Sequence, residues 1–187
     1  MRGIKAQRGF TLIELMITLA VFVVLVSVAI PSFRTMMARN ELITVTNAWV
    51  GALNTARAEA VKRNQSVALC GKDDVPTSGV GSGCDGAVAG QVRYLPRGGG
   101  GEEALHGELI GLVSQPLALA ASTTVRFRGD GLGYRGDNVT TPYNTSSGDP
   151  AVVVLCSSAL STDNARRVEL IAGSTVQVTT ETRSSCP

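Results

Sequence analysis

The chain has 187 residues, 44% hydrophobic and 17% charged, with 21 glycines and a formal net charge of +2, enough for one ordinary globular domain plus an accessory segment. So small a charge gives no support to nucleic-acid binding. With one histidine, His106, neither a Cys/His zinc cluster nor a Ser/His/Asp constellation is built, and we expect no enzyme activity, no metal and no cofactor.

The first nine residues are basic and end in Gly9; Arg2, Lys5 and Arg8 have no acidic companion there. From Phe10 to Ile30 the only charged residue is Glu14. At ~1.5 Å per residue that run spans ~31 Å, the hydrocarbon thickness of a bilayer, so it reads as a transmembrane helix. Positive charge ahead of a first hydrophobic segment holds that end in the cytoplasm, which puts the bulk of the chain outside. A secretory signal is cut behind its apolar run. Here the small residue stands in front of the run, so cleavage at Gly9 would keep the apolar segment on the mature protein and leave 14 basic residues against 15 acidic. A carboxylate in the apolar phase costs ~2.5–3.5 kcal/mol on insertion scales, so Glu14 either has a partner or, about one turn from the start of the run, snorkels toward the headgroups.

Pro31 follows, where a missing N–H is expected to bend the helix as it leaves the membrane. From Phe33 to about Asn64, Leu42, Val45, Trp49, Leu53, Ala56 and Ala60 recur at spacings of three and four, one apolar stripe for packing on a sheet. The two halves together make a helix of about 54 residues. After Asn64 the rhythm becomes that of strands: Ser66–Cys70, Gln91–Leu95, Thr124–Arg128, Ala151–Cys156, Arg167–Ile171 and Thr175–Thr179 are short, apolar and β-branched. Ala172-Gly173-Ser174 joins the last two as a hairpin. The glycine-rich stretch Pro96 to Glu103 and the polar stretch Asp137 to Pro150 read as mobile loops. The fold class is α+β, a long N-terminal helix with an antiparallel β-domain. Its segments are a leader at 1–9, a transmembrane helix at 10–30, its amphipathic continuation at 31–64 and a β-rich periplasmic domain at 65–187.

Four cysteines, Cys70, Cys84, Cys156 and Cys186, fall in the external part and allow three pairings. Cys70–Cys84 and Cys156–Cys186 are favoured because each closes a loop within one region of sequence, in an oxidising compartment.

Gly9-Phe10-Thr11-Leu12-Ile13-Glu14-Leu15, with its basic leader and a membrane-length run ending at Ile30-Pro31, resembles the class III signal of type IV pilins and type II secretion pseudopilins. The resemblance implies that prepilin peptidase cuts between Gly9 and Phe10 and methylates the new amine of Phe10. It also implies that Glu14, with Phe10 and Pro31, serves assembly, the Glu14 carboxylate meeting the Phe10 amine of a neighbouring subunit. Beyond the helix, Ala56-Arg57-Ala58-Glu59-Ala60, Val67-Ala68-Leu69-Cys70, Cys84-Asp85-Gly86, Val125-Arg126-Phe127, Leu155-Cys156 and Arg166-Arg167-Val168 resemble the GspH/FimT-like group, including FimU-type minor pilins.

What the resemblance implies is a minor pilin that helps initiate or assemble a type IV pilus. Its partners would be other pilins, the peptidase and an inner-membrane assembly platform. The alternatives are a type II secretion pseudopilin H and a DNA-binding competence pilin. Paired cysteines fit the pilus-type members better. A Gly-Arg-x-Arg motif carried by DNA-binding members is absent where Gly173-Ser174-Thr175-Val176-Gln177 stands, and Arg166, Arg167 and Arg183 are a sparse basic set, so nucleic acid is not an expected partner.

Gly131-Leu132-Gly133-Tyr134-Arg135-Gly136 has dinucleotide-fingerprint spacing, yet a polar loop follows it instead of a helix that could hold a pyrophosphate. It reads as turn chemistry, as do the tripeptides Arg128-Gly129-Asp130 and Arg135-Gly136-Asp137. Asp130, Asp137 and Asn138 lack EF-hand spacing for calcium.

Mature protein is expected to begin at N-methylated Phe10, which intact-mass measurement checks. Cleavage behind Ile30, or an uncut chain in cells with active peptidase, contradicts it. Gly9→Val is expected to leave unprocessed precursor in the membrane.

Overall fold

A computed structural model describes residues 9–72, 84, 87–95, 103–107, 109–136 and 140–187. The leader residues Arg2, Lys5 and Arg8, the glycine-rich stretch 96–102, and Asp137 and Asn138 lie outside the described residues. Helix α1 (Leu12–Arg63) is unbroken, with Pro31 inside it. The chain divides into two compact units, Met1–Met37 and Ala38–Pro187. The first holds the apolar half of α1. No described residue between Gly9 and Met37 is buried.

In the second unit, Ala38, Leu42, Val45, Thr46, Trp49, Ala52, Leu53, Ala56 and Ala60 form the buried face of α1, the stripe read from the sequence with alanines filling the positions between. Trp49 is fully buried. Fully burying a side chain such as Leu53 stabilises by ~1.5–3 kcal/mol, so this face outweighs the weak helix propensity of the Val and Thr residues around it. The helix ends where Asn64 turns left-handed at φ 50°. The Asn64 N–H donates to the Val61 carbonyl and the Gln65 N–H to that of Ala60, both at 3.1 Å, the two bonds of a Schellman cap. In the last turn Arg63 donates to Glu59 at 2.8 Å and lies 4.7 Å over the Tyr94 ring. That hydrogen bond holds the Glu59 carboxyl below its ordinary value.

Two antiparallel sheets follow. The first has the order β3-β2-β1-β5-β6, with β1 (Ser66–Leu69), β2 (Val92–Leu95), β3 (Glu103–His106), β5 (Val125–Phe127) and β6 (Gly133–Arg135). The second has the order β4-β7-β8-β9, with β4 (Leu117–Ser122), β7 (Val153–Ser157), β8 (Ala165–Ile171) and β9 (Thr175–Glu181). Alternation sends Val67, Leu69, Val125 and Phe127 of one sheet and Leu119, Leu155, Val168 and Leu170 of the other into one core with α1.

Six of these strands coincide with the expected ones to within two residues at each end. β3, β4 and β6 were not expected. The described part of the polar stretch, 140–150, is held by specific bonds where its polarity suggested a mobile loop. Within its described part, Tyr143 is fully buried and donates its hydroxyl to the Pro150 carbonyl at 2.7 Å, and Thr145 exchanges hydrogen bonds with Leu170.

Three backbone bonds close a ring here. Gly173 N–H donates to Tyr143 at 2.6 Å, Tyr143 N–H to Gly133 at 2.8 Å and Gly133 N–H to Gly173 at 2.8 Å. The ring joins β6 of the first sheet to the β8–β9 turn of the second. Gly173 sits at φ +68°, and a Cβ on it would meet the Gly133 carbonyl oxygen at 2.9 Å. Arg57 reinforces the corner from α1, donating to the Ser174 carbonyl at 2.9 Å.

Gly173→Ala is therefore expected to destabilise the fold by about 1–3 kcal/mol, through left-handed strain and the carbonyl contact. Urea unfolding of the full chain in detergent, followed by the fluorescence of its single tryptophan, Trp49, measures this. An unmoved midpoint contradicts it.

Candidate functional site

The chemistry-bearing end of the molecule is the start of α1, where a charge and an apolar surface meet. Thr11 is the residue before the helix and Glu14 lies in its first turn. The Thr11 N–H donates to Glu14 Oε2 at 3.0 Å and the Thr11 hydroxyl to the same oxygen at 2.9 Å. In return the Glu14 N–H donates to Thr11 Oγ1 at 3.3 Å. This is a capping box: two backbone donors with no partner inside the helix are satisfied reciprocally. The carboxylate also lies at the positive end of the helix dipole. Both bonds from Thr11 fall on Oε2, and Oε1 accepts none among the described residues. The arrangement thus holds the carboxylate in one place with one oxygen open to a further donor.

Around it, Phe10, Leu12, Ile13, Leu15, Met16 and Ile17 are all exposed, Phe10 at 81%. The exposed apolar surface continues through Phe33, Met36 and Met37. Length and composition suit this part of α1 to crossing a membrane. Pro31 supplies no N–H to the Ser27 carbonyl one turn earlier. Val26, Ala29, Ile30, Phe33 and Arg34 line a shallow apolar hollow there. Gly9 and Phe10 precede the helix in a non-helical, exposed stretch, where a peptide bond is accessible to a protease.

The bridges Cys70–Cys84 and Cys156–Cys186 are both present, with Cα atoms 5.6 and 5.8 Å apart. The second ties down the C-terminal tail, which Asn164 also grips: its Nδ2 donates to the Arg183 carbonyl at 3.0 Å and its Oδ1 accepts from the Arg183 N–H at 2.8 Å.

Other motifs resolve into local structure. Gly131, at φ +78°, belongs to the β5–β6 turn and Gly133 opens β6, so these two glycines lie in a turn and a strand. In Arg128-Gly129-Asp130, Asp130 accepts from the Leu132 N–H at 2.9 Å and from the Tyr134 hydroxyl at 3.2 Å. Arg128 lies 5.3 Å over the same Tyr134 ring, so both ends of the tripeptide are folded back onto one tyrosine. Arg166 and Arg167, neighbours on β8, point to opposite faces of the sheet. Arg166 donates to Thr180 at 2.5 Å and Arg167 to Glu169 at 2.9 Å, while Arg183 pairs with Glu181 at 3.1 Å. The structure does not gather the three into one patch. Among the described residues, no group of three or more His, Cys, Asp and Glu side chains is placed to hold a metal.

An apolar helix left uncovered, started by a capped glutamate and continued into a β-domain, defines a pilin-like protein. A family model described as the prokaryotic N-terminal methylation motif matches residues 4–30. A second, type II transport protein GspH, matches residues 45–175, more than half of the chain. The chain belongs to the GspH family of type IV pilin-like proteins. Two curated relatives, both fimbrial proteins of Pseudomonas aeruginosa, are each 41% identical over 63 residues, 34% of this chain and 40% of theirs. The chain thus spans about two fifths of the length of the curated relatives it matches. No solved structure matches it.

The capping role of Thr11 was missed in the sequence, although Thr-x-x-Glu ahead of an apolar run is a readable signature. Thr11→Val removes the hydroxyl and is expected to cost about 0.5–2 kcal/mol at the helix start and to lower entry of mature protein into filaments. Thr11→Ser is expected to behave as the parent. Quantifying both variants in sheared filaments, with N-terminal mass confirming that each is processed, checks this; equal incorporation of Thr11→Val and Thr11→Ser contradicts it.

Proposed function

We propose that this chain is a minor type IV pilin. In this reading it is held in the inner membrane by Phe10–Ile30 with its N-terminus cytoplasmic and its β-domain periplasmic. It is trimmed between Gly9 and Phe10, and then enters a filament through α1, where it helps initiate or assemble the pilus. The observation that carries the reading is the Thr11–Glu14 arrangement at the head of an uncovered apolar helix. Hydrolysis of the Gly9–Phe10 bond leaves an ammonium on Phe10. That group on a neighbouring subunit suits the open Glu14 oxygen, and pairing the two charges lowers the cost of carrying either through an apolar phase. The fimbrial relatives favour a pilus.

The second reading, a pseudopilin H of a type II secretion system, is favoured by the GspH family match and uses the same assembly chemistry. Deleting the gene separates the two: loss of surface filaments with normal protein secretion supports the pilus, and the reverse supports secretion. Stable binding of the purified β-domain to DNA would favour the competence-pilin alternative.

Glu14→Ala is expected to insert and be processed normally, because removing a charge eases burial and Gly9 and Phe10 are intact. It is expected to be missing from filaments, since a neighbour's ammonium loses its carboxylate where water cannot replace it, a penalty of about 3–5 kcal/mol for a buried unpaired charge. Glu14→Asp, one methylene shorter, is expected to be intermediate. The readout is mature protein in sheared filaments, and incorporation of Glu14→Ala equal to the parent removes the proposed mechanism.

A further inference from the structure

Two open sheets have four edge strands, and three of them are blunted. β6 is met by a bridge from Tyr134 to Pro142. β3 has only four residues and pairs with β2 through a register shift. β4 pairs with β7 through a register shift between Leu119 and Ala121. Devices of this kind keep a row of unpaired backbone groups from pairing with another chain. β9 has none of them. It runs seven residues, Thr175 to Glu181, in unbroken register with β8, without a proline, and no strand lies on its outer side among the described residues. No charge occurs from Leu170 to Thr180, and that of Glu181 is met by Arg183 at 3.1 Å.

The strand is also held with that side open. At its start the Gly173 ring fixes the turn. Past its end the Thr182 hydroxyl accepts from the Asp163 N–H at 2.9 Å, Asn164 grips Arg183 and Cys186 is bridged to Cys156 of β7. The tail is thereby drawn toward the inner strands of the sheet. On the core face of the hairpin, Val176 lies opposite Leu170 and Val178 opposite Val168. Leu170 and Val168 are fully buried and Val176 packs against the core, but Val178 is 41% exposed. The apolar row of this face stops at a valine with no strand beyond it.

We infer that β9 is a docking edge whose occupant is an extended segment of another protein, added to the sheet as a fifth strand. The segment is uncharged and carries an apolar residue at every second position. Every second residue of an outer strand points its N–H and C=O away from the sheet. Water or an extended chain satisfies that row. A helix, whose backbone groups are already paired, and a bilayer core, which offers none, do not. Alternate side chains of the incoming segment fall beside Val176 and Val178, where apolar residues cover what is exposed. A charged segment would find no countercharge between Leu170 and Thr180. Pairing with the β9 of a second copy needs a two-fold axis normal to the sheet, which reverses everything packed on it, α1 included. Chains that enter one membrane by the same end of α1 do not meet in that way. Only this exclusion of a second copy rests on the membrane reading above.

The test has two arms. In the first, the full chain in lipid nanodiscs is mixed with the capped heptapeptide Thr-Val-Thr-Val-Thr-Val-Thr and followed by deuterium uptake, with empty discs as the blank for peptide binding. Exchange of the outward amides within 175–181 is expected to slow about tenfold, and that of β4 to stay unchanged. The same peptide with a central proline, which breaks the ladder, is expected to give no protection. Val178→Lys puts on the edge a residue that opposes strand pairing and is expected to weaken binding about tenfold. Val61→Lys, at an exposed valine of α1, is expected to bind as the parent. Intact disulfides and unchanged Trp49 fluorescence show that both variants are folded. In the second arm, benzoylphenylalanine at Gln177 in cells is expected to give an adduct that mass spectrometry maps to an uncharged, alternating segment of another protein, and Val178→Lys is expected to reduce it about tenfold. The inference is overturned if the peptide leaves β9 exchange unchanged, if the proline peptide protects equally, or if Val178→Lys behaves as the parent in either arm. It is also overturned if Gln177 gives no adduct, or one to lipid, to a helix or to the β9 of a second copy. None of these outcomes touches the filament-subunit reading, which is decided by Glu14 in sheared filaments.

Discussion

An apolar helical surface running from Phe10 to Met37 has nothing folded against it, and water is not a stable environment for so much of it. At ~25 cal/mol per Å² of apolar surface removed from water, covering so many exposed aliphatic side chains is strongly favourable. Lipid can cover it, and so can the helices of other subunits, but the subunit itself cannot. That single constraint gives Glu14 its meaning. One charge in such a surface would weaken either form of burial, unless its hydrogen bonds travel with it. The capping box arranges this: Thr11 supplies two donors to Oε2, and the first turn supplies the positive end of the helix dipole.

The rest of the chain is built so that the same helix can be uncovered at one end and locked at the other. From Ala38 onward α1 is the central element of a core to which both sheets contribute. The sheets do not share a strand. They are joined at the ring of Gly133, Tyr143 and Gly173, and at a second place where the Gly71 and Lys72 N–H groups donate to the Thr124 and Ser122 hydroxyls at 2.9 and 2.7 Å. Each joint lies beside a covalent or steric lock. Cys70, next to Gly71, is bridged to Cys84, and a Cβ on Gly71 would run into the Ser122 carbonyl oxygen at 2.6 Å. Backbone bonds at joints with no room for a side chain resist shear better than side-chain contacts, which can repack.

The sequence revealed the helix, the membrane-length run and six strands because each carries its own period. It concealed β4, whose residues Leu117–Ser122 are leucine, alanine and serine, types that favour no strand until a neighbour pairs with them. β3 (Glu103–His106) reads Glu-Ala-Leu-His, which by propensity is helical; pairing with β2 overrides that. β6 was hidden by its own glycine. Gly133 looks like a turn residue, but a Cβ there would meet Leu170 at 2.7 Å and Phe127 at 3.1 Å, so the glycine serves close packing within a strand. The segment ending at Pro150 misled in the same way. Its polarity is genuine, but one buried tyrosine and a set of backbone bonds fix it, and neither leaves a periodic trace. At the candidate site the glutamate was legible as a misplaced charge, whereas its threonine partner was legible only through the spacing of a cap.

The two halves of α1 solve different packing problems with different residues. In the filament-subunit reading proposed above, the partners of the first half change, from lipid before assembly to neighbouring helices after it, and large aliphatic side chains suit either environment. Lipid tails are as apolar as leucine, and burial alone therefore gives little preference for a helix over a bilayer. A preference has to come from groups that lipid cannot satisfy. The Glu14 oxygen left open by Thr11 is one such group. In that reading, extraction from the membrane is favoured by the polar contact made at Glu14, and the large apolar surface provides adhesion without direction. Directional bonds are few enough to be specific, and the surface they guide is large enough to hold.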